Sequence, residues 1–391
     1  MSVEEIVRDL HETASLPLPR ARTLRPDAYL DPEFFALEKT RVLGAGWLCA
    51  GHVSQLKGSG ACLALDLLDE PIVILRDETG AIRVLSRVCP HRGADIMQSA
   101  APGCGQAGTV LSCPYHRWTF GLDGTLLAAP QMHKAEGFVR EEWRLAAIRC
   151  AVWHGFIFVN LDGQAPPLDE VFGSFGAIVT PWRLEELELV ISLDWECRFN
   201  WKVMVENWIE SYHHLGPHTK TLNPFAPAQD SWSAPPHPGF IHAHLPLTGR
   251  GATCMREAIR TGAVGEGFLP LPGLSEAEQA DWQLFLGFPC FMLLLFRDRA
   301  IWYRLQPVSA EYCRLTTTTL VSRASLGMAR YQEVLQAETD MLRTFHLEDM
   351  AVNEAVQHGL HSRHAMRGRL SHLEEPVWQF QRQLAAALVA P

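Results

Sequence analysis

The sequence predicts an α+β protein with two domains, and three observations lead to this prediction. The chain has 391 residues, 47% of them hydrophobic and 20% charged, which is enough for two hydrophobic cores. From about Gly46 to Asn160, short β-rich runs alternate with turns that contain glycine and aspartate, as in a small antiparallel β domain. After the Gly- and Pro-containing segment 162–167, strands and helices follow in non-alternating order, which is typical of α+β domains.

The predicted division of the chain is into residues 1–45, 46–160 and 161–391. The first segment forms helices that pack on the last. Apolar residues recur there at helical spacing over residues 3–13, and Asp31 and Pro32 suit the N-cap and first position of another helix. The main predicted elements are strands at 72–75, 82–85, 109–111, 156–159, 189–199, 285–296, 300–305 and 313–321, and helices at 201–215 and 329–359.

Charge and composition exclude several classes of protein. Lys and Arg number 34 against 44 Asp and Glu, a net charge of −10, so no basic surface for nucleic acid is expected. The longest apolar run, residues 291–296, is too short to span a bilayer, and the N-terminus lacks the features of a signal peptide. Ten cysteines without regular spacing do not indicate a secreted disulfide framework. We therefore expect a cytoplasmic protein that spans no membrane.

The β domain contains one Cys-x-His pair and one Cys-x-x-His pair. They comprise Cys89, His91, Cys113 and His116. Two thiolates and two imidazoles on neighbouring loops can hold one metal centre, and zinc fits such a set. Because each loop pairs one cysteine with one histidine, the pattern favours a [2Fe–2S] cluster, in which the thiolates hold one iron and the imidazoles the other.

The second domain contains another set of metal-ligating residue types within the segment 200–218. On a helix, Glu206, Glu210 and His213 share one face, which is acidic where a core helix would be apolar. The Gly-Pro pair at 216–217 would break this helix and let His218 fold back toward His213. Two histidines and one carboxylate with open positions form the facial triad of oxygen-activating non-haem Fe(II) enzymes, whose third ligand must come from elsewhere in the chain.

Both motifs together resemble those of the Rieske non-haem iron ring-hydroxylating oxygenases, specifically their alpha (terminal oxygenase) subunit. The resemblance rests on Cys-Pro-His-Arg-Gly at 89–93, Cys-Pro-Tyr-His-x-Trp at 113–118 and Glu-Asn-x-x-Glu-x-Tyr-His at 206–213. It extends to Glu-Asp…Glu-x-x-Gln-x-Gly-Leu at 348–360 and to an N-terminal stretch from Tyr29 to Trp47. This sequence departs from the usual pattern in a longer spacer between His91 and Cys113, which includes Cys104, and in Arg87 and Arg117, where Asn and Gly are commoner.

The resemblance implies specific roles for individual residues. Asp349 falls on the position of the ligating carboxylate, with His213 and His218 as the two ligating histidines. Glu210 falls on the acidic residue that bridges the mononuclear iron of one subunit to the Rieske histidine of its neighbour. We interpret Glu206 and Asn207 as residues that support the iron pocket and do not bind the iron. We interpret His214 as structural and Glu348 as a solvated residue of the C-terminal helix. The aromatic stretch 282–302 is interpreted mainly as core that partly lines the substrate pocket.

The implied function is that of an oxygenase component that uses O₂ and electrons from NAD(P)H. A separate reductase, with or without a ferredoxin, supplies the electrons, because the chain has no dinucleotide-binding motif after a predicted strand. The resemblance also implies a homotrimer with electron transfer between subunits. The spacing at 206–213 favours the monooxygenase and quaternary-amine branch, which hydroxylates or demethylates a small organic substrate. The alternatives are a cis-dihydroxylating aromatic-ring dioxygenase alpha subunit and, more distantly, a Rieske electron carrier or a zinc-stabilised binding protein.

Overall fold

The computed structural model describes residues 2–97, 103–247, 249, 251–254, 257 and 267–388. The chain folds into two compact units. One contains Met1–Gly46 together with Asp169–Pro391, and the other contains Trp47–Leu168. Helices and antiparallel sheets occur in non-alternating order, so the predicted α+β class is confirmed. None of the helices among the described residues has both the length and the apolar character that crossing a membrane requires.

The N-terminal residues form three helices. Their bounds are α1 Val3–Ala14, α2 Asp27–Leu30 and α3 Pro32–Glu38. Ser2 and Glu5 form a capping box at the start of α1, and the carboxylate of Asp31 accepts a hydrogen bond from Phe34 N at 2.8 Å at the start of α3. The helix predicted from the Asp31–Pro32 pair therefore begins at that proline.

The unit Trp47–Leu168 consists of three small antiparallel sheets with the strand orders β1-β10-β9, β4-β3-β2-β5 and β6-β7-β8. The strands are β1 Leu48–His52, β2 Ala61–Leu67, β3 Glu70–Arg76, β4 Ile82–Ser86, β5 Gly103–Gln106, β6 Val110–Ser112, β7 Thr119–Gly121, β8 Leu126–Ala128, β9 Arg149–Trp153 and β10 Phe156–Asn160. Part of the long spacer before Cys113 lies outside the described residues. Its second half forms β5, which pairs with β2, and the structure does not describe the side chain of Cys104.

The larger unit is built on a seven-stranded antiparallel sheet with the order β11-β17-β16-β15-β14-β13-β12. Its strands are β11 Glu188–Cys197, β12 Trp232–Ser233, β13 Phe240–Pro246, β14 Asp281–Gly287, β15 Phe291–Leu295, β16 Arg299–Ser309 and β17 Tyr312–Val321. The helices that follow α3 are α4 Leu168–Phe172, α5 Phe175–Val179, α6 Trp201–Ile209, α7 Glu276–Gln279, α8 Tyr331–Leu360 and α9 Glu375–Ala387.

Two predicted elements of this unit are wrong in extent. The strand predicted over 285–296 is a hairpin, β14 and β15, in which Gly287 pairs with Phe291 around a turn that contains Pro289. The helix predicted over 201–215 stops at Ile209, because Glu210 is extended, and a short 3₁₀ turn, Tyr212–Leu215, follows. The long C-terminal helix is confirmed as α8.

Candidate metal centres

Two tight loops of the β unit bring two thiols and two imidazoles together. They belong to Cys89, His91, Cys113 and His116. Main-chain hydrogen bonds close the first loop between residues 89 and 94 and the second between residues 113 and 118, each at 2.8 Å. The two cysteines are buried in the core of the unit, whereas the histidines are only partly buried and their rings lie 4.7 Å apart. The thiols therefore lie on the core side of one site, and the imidazoles lie on its solvent side.

The donor set of these loops fits a [2Fe–2S] cluster held by two thiolates and two imidazoles. Burial raises the pKa of the Cys89 thiol, so its thiolate requires a neighbouring cation such as a metal ion. Burial and then the charge of His116 lower the pKa of His91, which favours the neutral imidazole that ligates metals. Nδ1 of His116 is buried and has no hydrogen-bond partner among the described residues, as expected of a nitrogen available for a metal.

Neighbouring side chains fix the two loops. Arg87 pairs with Asp95 at 3.1 Å and also with Asp66, which ties the first loop to β2. The indole of Trp118 stacks on the ring of His91, with centroids 4.7 Å apart and planes 3° apart. Arg117 has a φ of +59°, in the left-handed region that favours glycine, which explains physically why glycine is common at this position.

A second group of metal-ligating atoms lies in the larger unit. It comprises His213, His218 and Asp349, whose ligand atoms all lie within 4.8 Å of one another. The Nε2 atoms of His218 and His213 lie 2.9 and 3.6 Å from Oδ1 of Asp349. His218 is fully buried, and the side chains of the other two are about one-seventh exposed. Two imidazole nitrogens and one carboxylate oxygen, with the remaining directions open, are the donor set of a mononuclear Fe(II) site.

A carboxylate holds the second nitrogen of each imidazole. Nδ1 of His213 lies 2.8 Å from Glu210, and Nδ1 of His218 lies 2.7 Å from Glu348, which also accepts a hydrogen bond from Thr221. This contact directs both Nε2 atoms toward Asp349, as second carboxylates do for metal-ligating histidines. Our interpretation of Glu348 as merely solvated is therefore wrong, although no signal in the local sequence distinguishes it from the other acidic residues of the helix.

Electrostatics in this site favour a bound cation. Burial opposes the charged imidazole of His213, but Glu210 and Asp349 outweigh it and raise its pKa. Burial also opposes the charge of Asp349, but the neighbouring histidines outweigh it and lower the pKa of that carboxyl. His214 is buried, its Nδ1 lies 3.0 Å from Ala226 O, and burial lowers its pKa to about 3. His214 is thus a neutral side chain that packs beside the rings of His213 and His218 without joining the cluster.

Helices α6 and α8 position the site through a row of polar side chains. On α8, Asp349, Asn353 and Gln357 follow at intervals of four residues and share one face. The amide of Asn353 donates to Asn207 at 3.4 Å, and that of Gln357 accepts from the main-chain nitrogen of Asn200 at 3.0 Å. Asn200 caps α6, because its side chain accepts from Lys202 N. Helix α8 is thereby held in register with the segment that leads to the histidines.

A cavity of about 630 Å³ adjoins the three clustered residues and extends between α6, α8 and the large sheet. Its aromatic lining consists of Trp208, Phe225, Trp282, Phe296, Tyr303 and Phe345. The stretch 282–302 divides by strand alternation: Trp282 and Phe296 face the cavity, with rings 5.0 Å apart, whereas Phe285 packs on Phe175 in the core. The stretch therefore contributes to both the hydrophobic core and the lining of the cavity.

Charged side chains also line this cavity. Arg299 pairs with Asp298 at 2.8 Å and with Glu338 at 3.0 Å, so that its charge is compensated within the wall. Lys220 and Arg297 also line the cavity, and both are exposed to solvent. The cavity thus combines an aromatic body with cationic groups on its solvent-exposed side.

Comparison with known proteins agrees with this geometry. Residues 184–390 match the model of the ring hydroxylating alpha subunit (catalytic domain), and residues 46–150 match the Rieske [2Fe–2S] domain. The first match covers more than half of the chain. The chain belongs to this family. It is accordingly an oxygenase with a Rieske [2Fe–2S] cluster and a mononuclear non-haem iron, and the alternatives of a simple electron carrier and a zinc-stabilised binding protein are wrong.

Curated relatives extend over most of the chain. The carnitine monooxygenase oxygenase subunit of Acinetobacter baumannii is 27% identical over 349 residues, which are 86% of this chain and 84% of that protein. The glycine betaine monooxygenase oxygenase subunit of Pseudomonas aeruginosa (strain UCBPP-PA14) is 26% identical over 414 residues, which cover 97% and 91% of the two chains. The prediction that this chain lies nearer the monooxygenase branch is confirmed by these relatives.

Solved structures show the same fold. A quaternary ammonium Rieske monooxygenase in complex with gamma-butyrobetaine superposes with a TM-score of 0.78 at 24% identity, over 96% of this chain and 98% of that one. Naphthalene 1,2-dioxygenase from Rhodococcus sp. superposes with a TM-score of 0.75 at 16% identity, over 98% and 97% of the chains. At these identities the likeness establishes the fold and not the substrate.

Proposed function

We propose that the protein is the oxygenase component of a monooxygenase acting on a quaternary ammonium compound that also bears a carboxylate. The observation that supports this most is the aromatic-lined cavity beside His213, His218 and Asp349, with cationic groups on its exposed side. The faces of aromatic rings attract a methylated ammonium group, which has no hydrogen to donate. The relatives named for carnitine and glycine betaine support the same class of substrate.

We propose that the two groups of residues hold the two metal centres. Cys89, His91, Cys113 and His116 would bind the Rieske cluster, and His213, His218 and Asp349 would bind the mononuclear iron. When bound, these centres supply one-electron transfer and O₂ activation beside the substrate. Glu210 and Glu348 keep the two histidines oriented by holding their Nδ1 atoms, and Asn207 supports the wall of the pocket through Asn353.

The cavity itself orients the substrate. Trp282 and Phe296 present neighbouring ring faces that bind the methylammonium group and exclude water around it. Lys220 and Arg297 pair with the carboxylate at the exposed side. A substrate held at both charged ends would then lie in one fixed orientation beside the histidine cluster.

The assembly and electron supply are part of the proposal. A separate NAD(P)H-dependent reductase, with or without a ferredoxin, delivers the electrons. We further propose a cytoplasmic homotrimer in which Glu210 bridges to the Rieske histidine of the adjacent subunit. In functional terms, residues 1–45 would support the catalytic domain, residues 46–160 would form the Rieske domain and residues 161–391 the catalytic domain.

Turnover of a matched panel of substrates tests this function. The oxygenase is combined with a competent reductase, NAD(P)H and ¹⁸O₂, and supplied with carnitine, glycine betaine, choline or naphthalene. We expect oxygen consumption and incorporation of one labelled oxygen with a carboxylated quaternary ammonium compound, and less with choline because it has no carboxylate. A labelled cis-diol from naphthalene, with no product from the ammonium compounds, would contradict the proposal.

A pair of variants makes the result specific to the cavity. Lys220→Met should raise KM for the carboxylated substrate by roughly tenfold, since a charge-assisted contact is lost, and should leave KM for choline unchanged. Trp282→Leu should raise KM for both substrates. Equal effects of Lys220→Met on both KM values would show that this lysine does not recognise the carboxylate.

A further inference from the structure

The proposed iron site lies at a wall between two cavities. Asn207, Glu210 and His213 line the large aromatic cavity on one side and a second cavity of about 420 Å³ on the other. The second cavity lies between α6, α8, the N-terminal segment 23–29 and the segment 366–381, all in the larger unit. A small molecule in the second cavity therefore contacts the same wall residues as the substrate, from the other cavity.

The lining of the second cavity is mostly aliphatic, but it includes several buried polar side chains. Glu206, Glu374 and the amide of Asn353 line it in addition to the residues of the wall. Gln381 lines it as well, is 1% exposed, and neither polar atom of its amide has a hydrogen-bond partner among the described residues. A buried amide in this condition requires water, and the cavity has room for several water molecules beside its polar groups.

Glu206 is one acidic group of this cavity that can hold a proton at neutral pH. Burial raises its pKa to about 7, against the hydrogen bond from Tyr29 and the charge of Lys202, and Glu374 and Glu38 raise it further. The hydroxyl of Tyr29 donates to the carboxylate at 2.7 Å. Lys202 is paired at 2.8 Å with Glu38, so the cation of its own helix is already compensated.

Glu374 provides a second carboxyl in the lining of this cavity. Burial and the negative charge of Glu210 raise the pKa of Glu374, although the main-chain hydrogen bond from Ser371 lowers it. The lining also includes Met366, a residue with 89% of its surface exposed, so the cavity reaches the protein surface. The same cavity thus contains two protonatable carboxyl groups and contacts the wall of the iron site.

We propose that this second cavity is the proton entrance of the oxygenase, with Glu206 as the relay residue and Glu374 as the group that reprotonates it. The inference rests on the proposed role of His213, His218 and Asp349. Monooxygenation converts C–H, O₂, two electrons and two protons into C–OH and water. The reductase supplies the electrons. The O–H bond of the Glu206 carboxylic acid breaks, its proton passes to cavity water at the wall, and the carboxylate takes a new proton from Glu374, which exchanges with solvent.

Glu206→Gln is the decisive variant, because glutamine keeps the shape and the oxygen that accepts from Tyr29 but does not release a proton. In the pH-difference infrared spectrum of the protein, we expect a carboxylic acid band that titrates near pH 7 and is absent from the variant. With both metal centres intact by metal analysis, oxygen consumption should fall about a hundredfold and lose its pH dependence near pH 7. Oxygen consumption needs the same protons even when uncoupled, since it then yields hydrogen peroxide.

Two further variants separate a relay from a structural role. Tyr29→Phe removes the hydrogen bond that holds down the pKa of Glu206, so the infrared band and the pH dependence should both move to higher pH. Glu354→Gln, on the exposed face of α8, is the matched control and should change neither. A band that persists in Glu206→Gln, or oxygen consumption with an unchanged pH profile, would overturn the proposal. A wrong substrate assignment instead appears as missing product, with the band and the pH profile of oxygen consumption intact.

Discussion

At the residue scale, the orientation of two imidazoles depends on carboxylates that do not themselves belong to the triad. Glu210 and Glu348 bind the Nδ1 atoms of His213 and His218 at 2.8 and 2.7 Å. Each contact fixes the ring and increases the basicity of the nitrogen on its other side. Glu348 is additionally held by Thr221, at 2.7 Å, so its carboxylate has little freedom to turn away.

Glu348→Ala should weaken binding of iron to the mononuclear site by roughly 10- to 100-fold, because His218 loses the acceptor that orients it. Competition with a chelator of known affinity measures this change, while the visible spectrum of the Rieske cluster stays the same. Glu354→Ala, on the exposed face of the same helix, serves as the control. An iron affinity equal to that of the control variant would show that Glu348 does not support the site.

The residues proposed as ligands could be found from the sequence, and Glu348 could not, for a physical reason. The types and spacing of the thiols and imidazoles in the motifs 89–93 and 113–118 indicate metal binding from the sequence alone. Glu348 acts through a partner 130 residues away, so only the fold reveals its role. Arg117 differs from the commoner glycine in the sequence motif, but only the fold shows the reason, which is its φ of +59°.

At the element scale, the polar face of α8 sets the register between the two helices of the iron site. Gln357 is buried, and its amide accepts from Asn200 N and donates to Glu311 at 3.1 Å. Asn353 makes the corresponding contact one turn earlier, to Asn207. An apolar face of α8 could be buried equally well, but it would not specify which turn of α8 meets the start of α6.

Gln357→Leu should lower the free energy of unfolding by about 1–3 kcal/mol, because the buried main-chain nitrogen of Asn200 loses its acceptor. Urea denaturation followed by circular dichroism measures the effect. The control is Gln332→Leu at an exposed position of the same helix, for which we expect a change within about 0.5 kcal/mol. Equal changes in the two variants would indicate that the contact with Asn200 contributes nothing.

About half of the elements could be predicted from the sequence, and the two errors in extent share one cause. Periodicity describes which face is buried but not where an element stops. Residues 285–296 contain no charged side chain, so the turn between β14 and β15 is hidden within one apparent strand. The helical spacing of Glu206, Glu210 and His213 concealed the end of α6 at Ile209, after which tertiary contacts position the two later residues. Helix α9 was missed altogether.

At the scale of the whole molecule, the family supplies two metal centres on one chain, and the proposed electron path runs between chains. Co-expression of a cluster-deficient variant, Cys89→Ser, with an iron-deficient variant, Asp349→Ala, tests this path. Neither variant is active alone. In mixed trimers isolated by two different tags, one of the three neighbouring pairs joins an intact iron site to an intact cluster. About a third of the wild-type activity should therefore return, because iron in one subunit receives electrons from its neighbour.

The control for this experiment is a mixture of the two purified variants that have not exchanged subunits, which should remain inactive. Inactive mixed assemblies of confirmed composition would place the electron path within one subunit. They would also remove the bridging role proposed for Glu210.

The most direct test of the central claim is an electron paramagnetic resonance spectrum of anaerobically purified protein, reduced with dithionite and exposed to nitric oxide. The account predicts a rhombic Rieske signal together with a high-spin iron–nitrosyl signal, and Asp349→Ala should lose only the second. A Rieske signal alone from fully iron-loaded wild-type protein would contradict the assignment of His213, His218 and Asp349 as the oxygen-activating site.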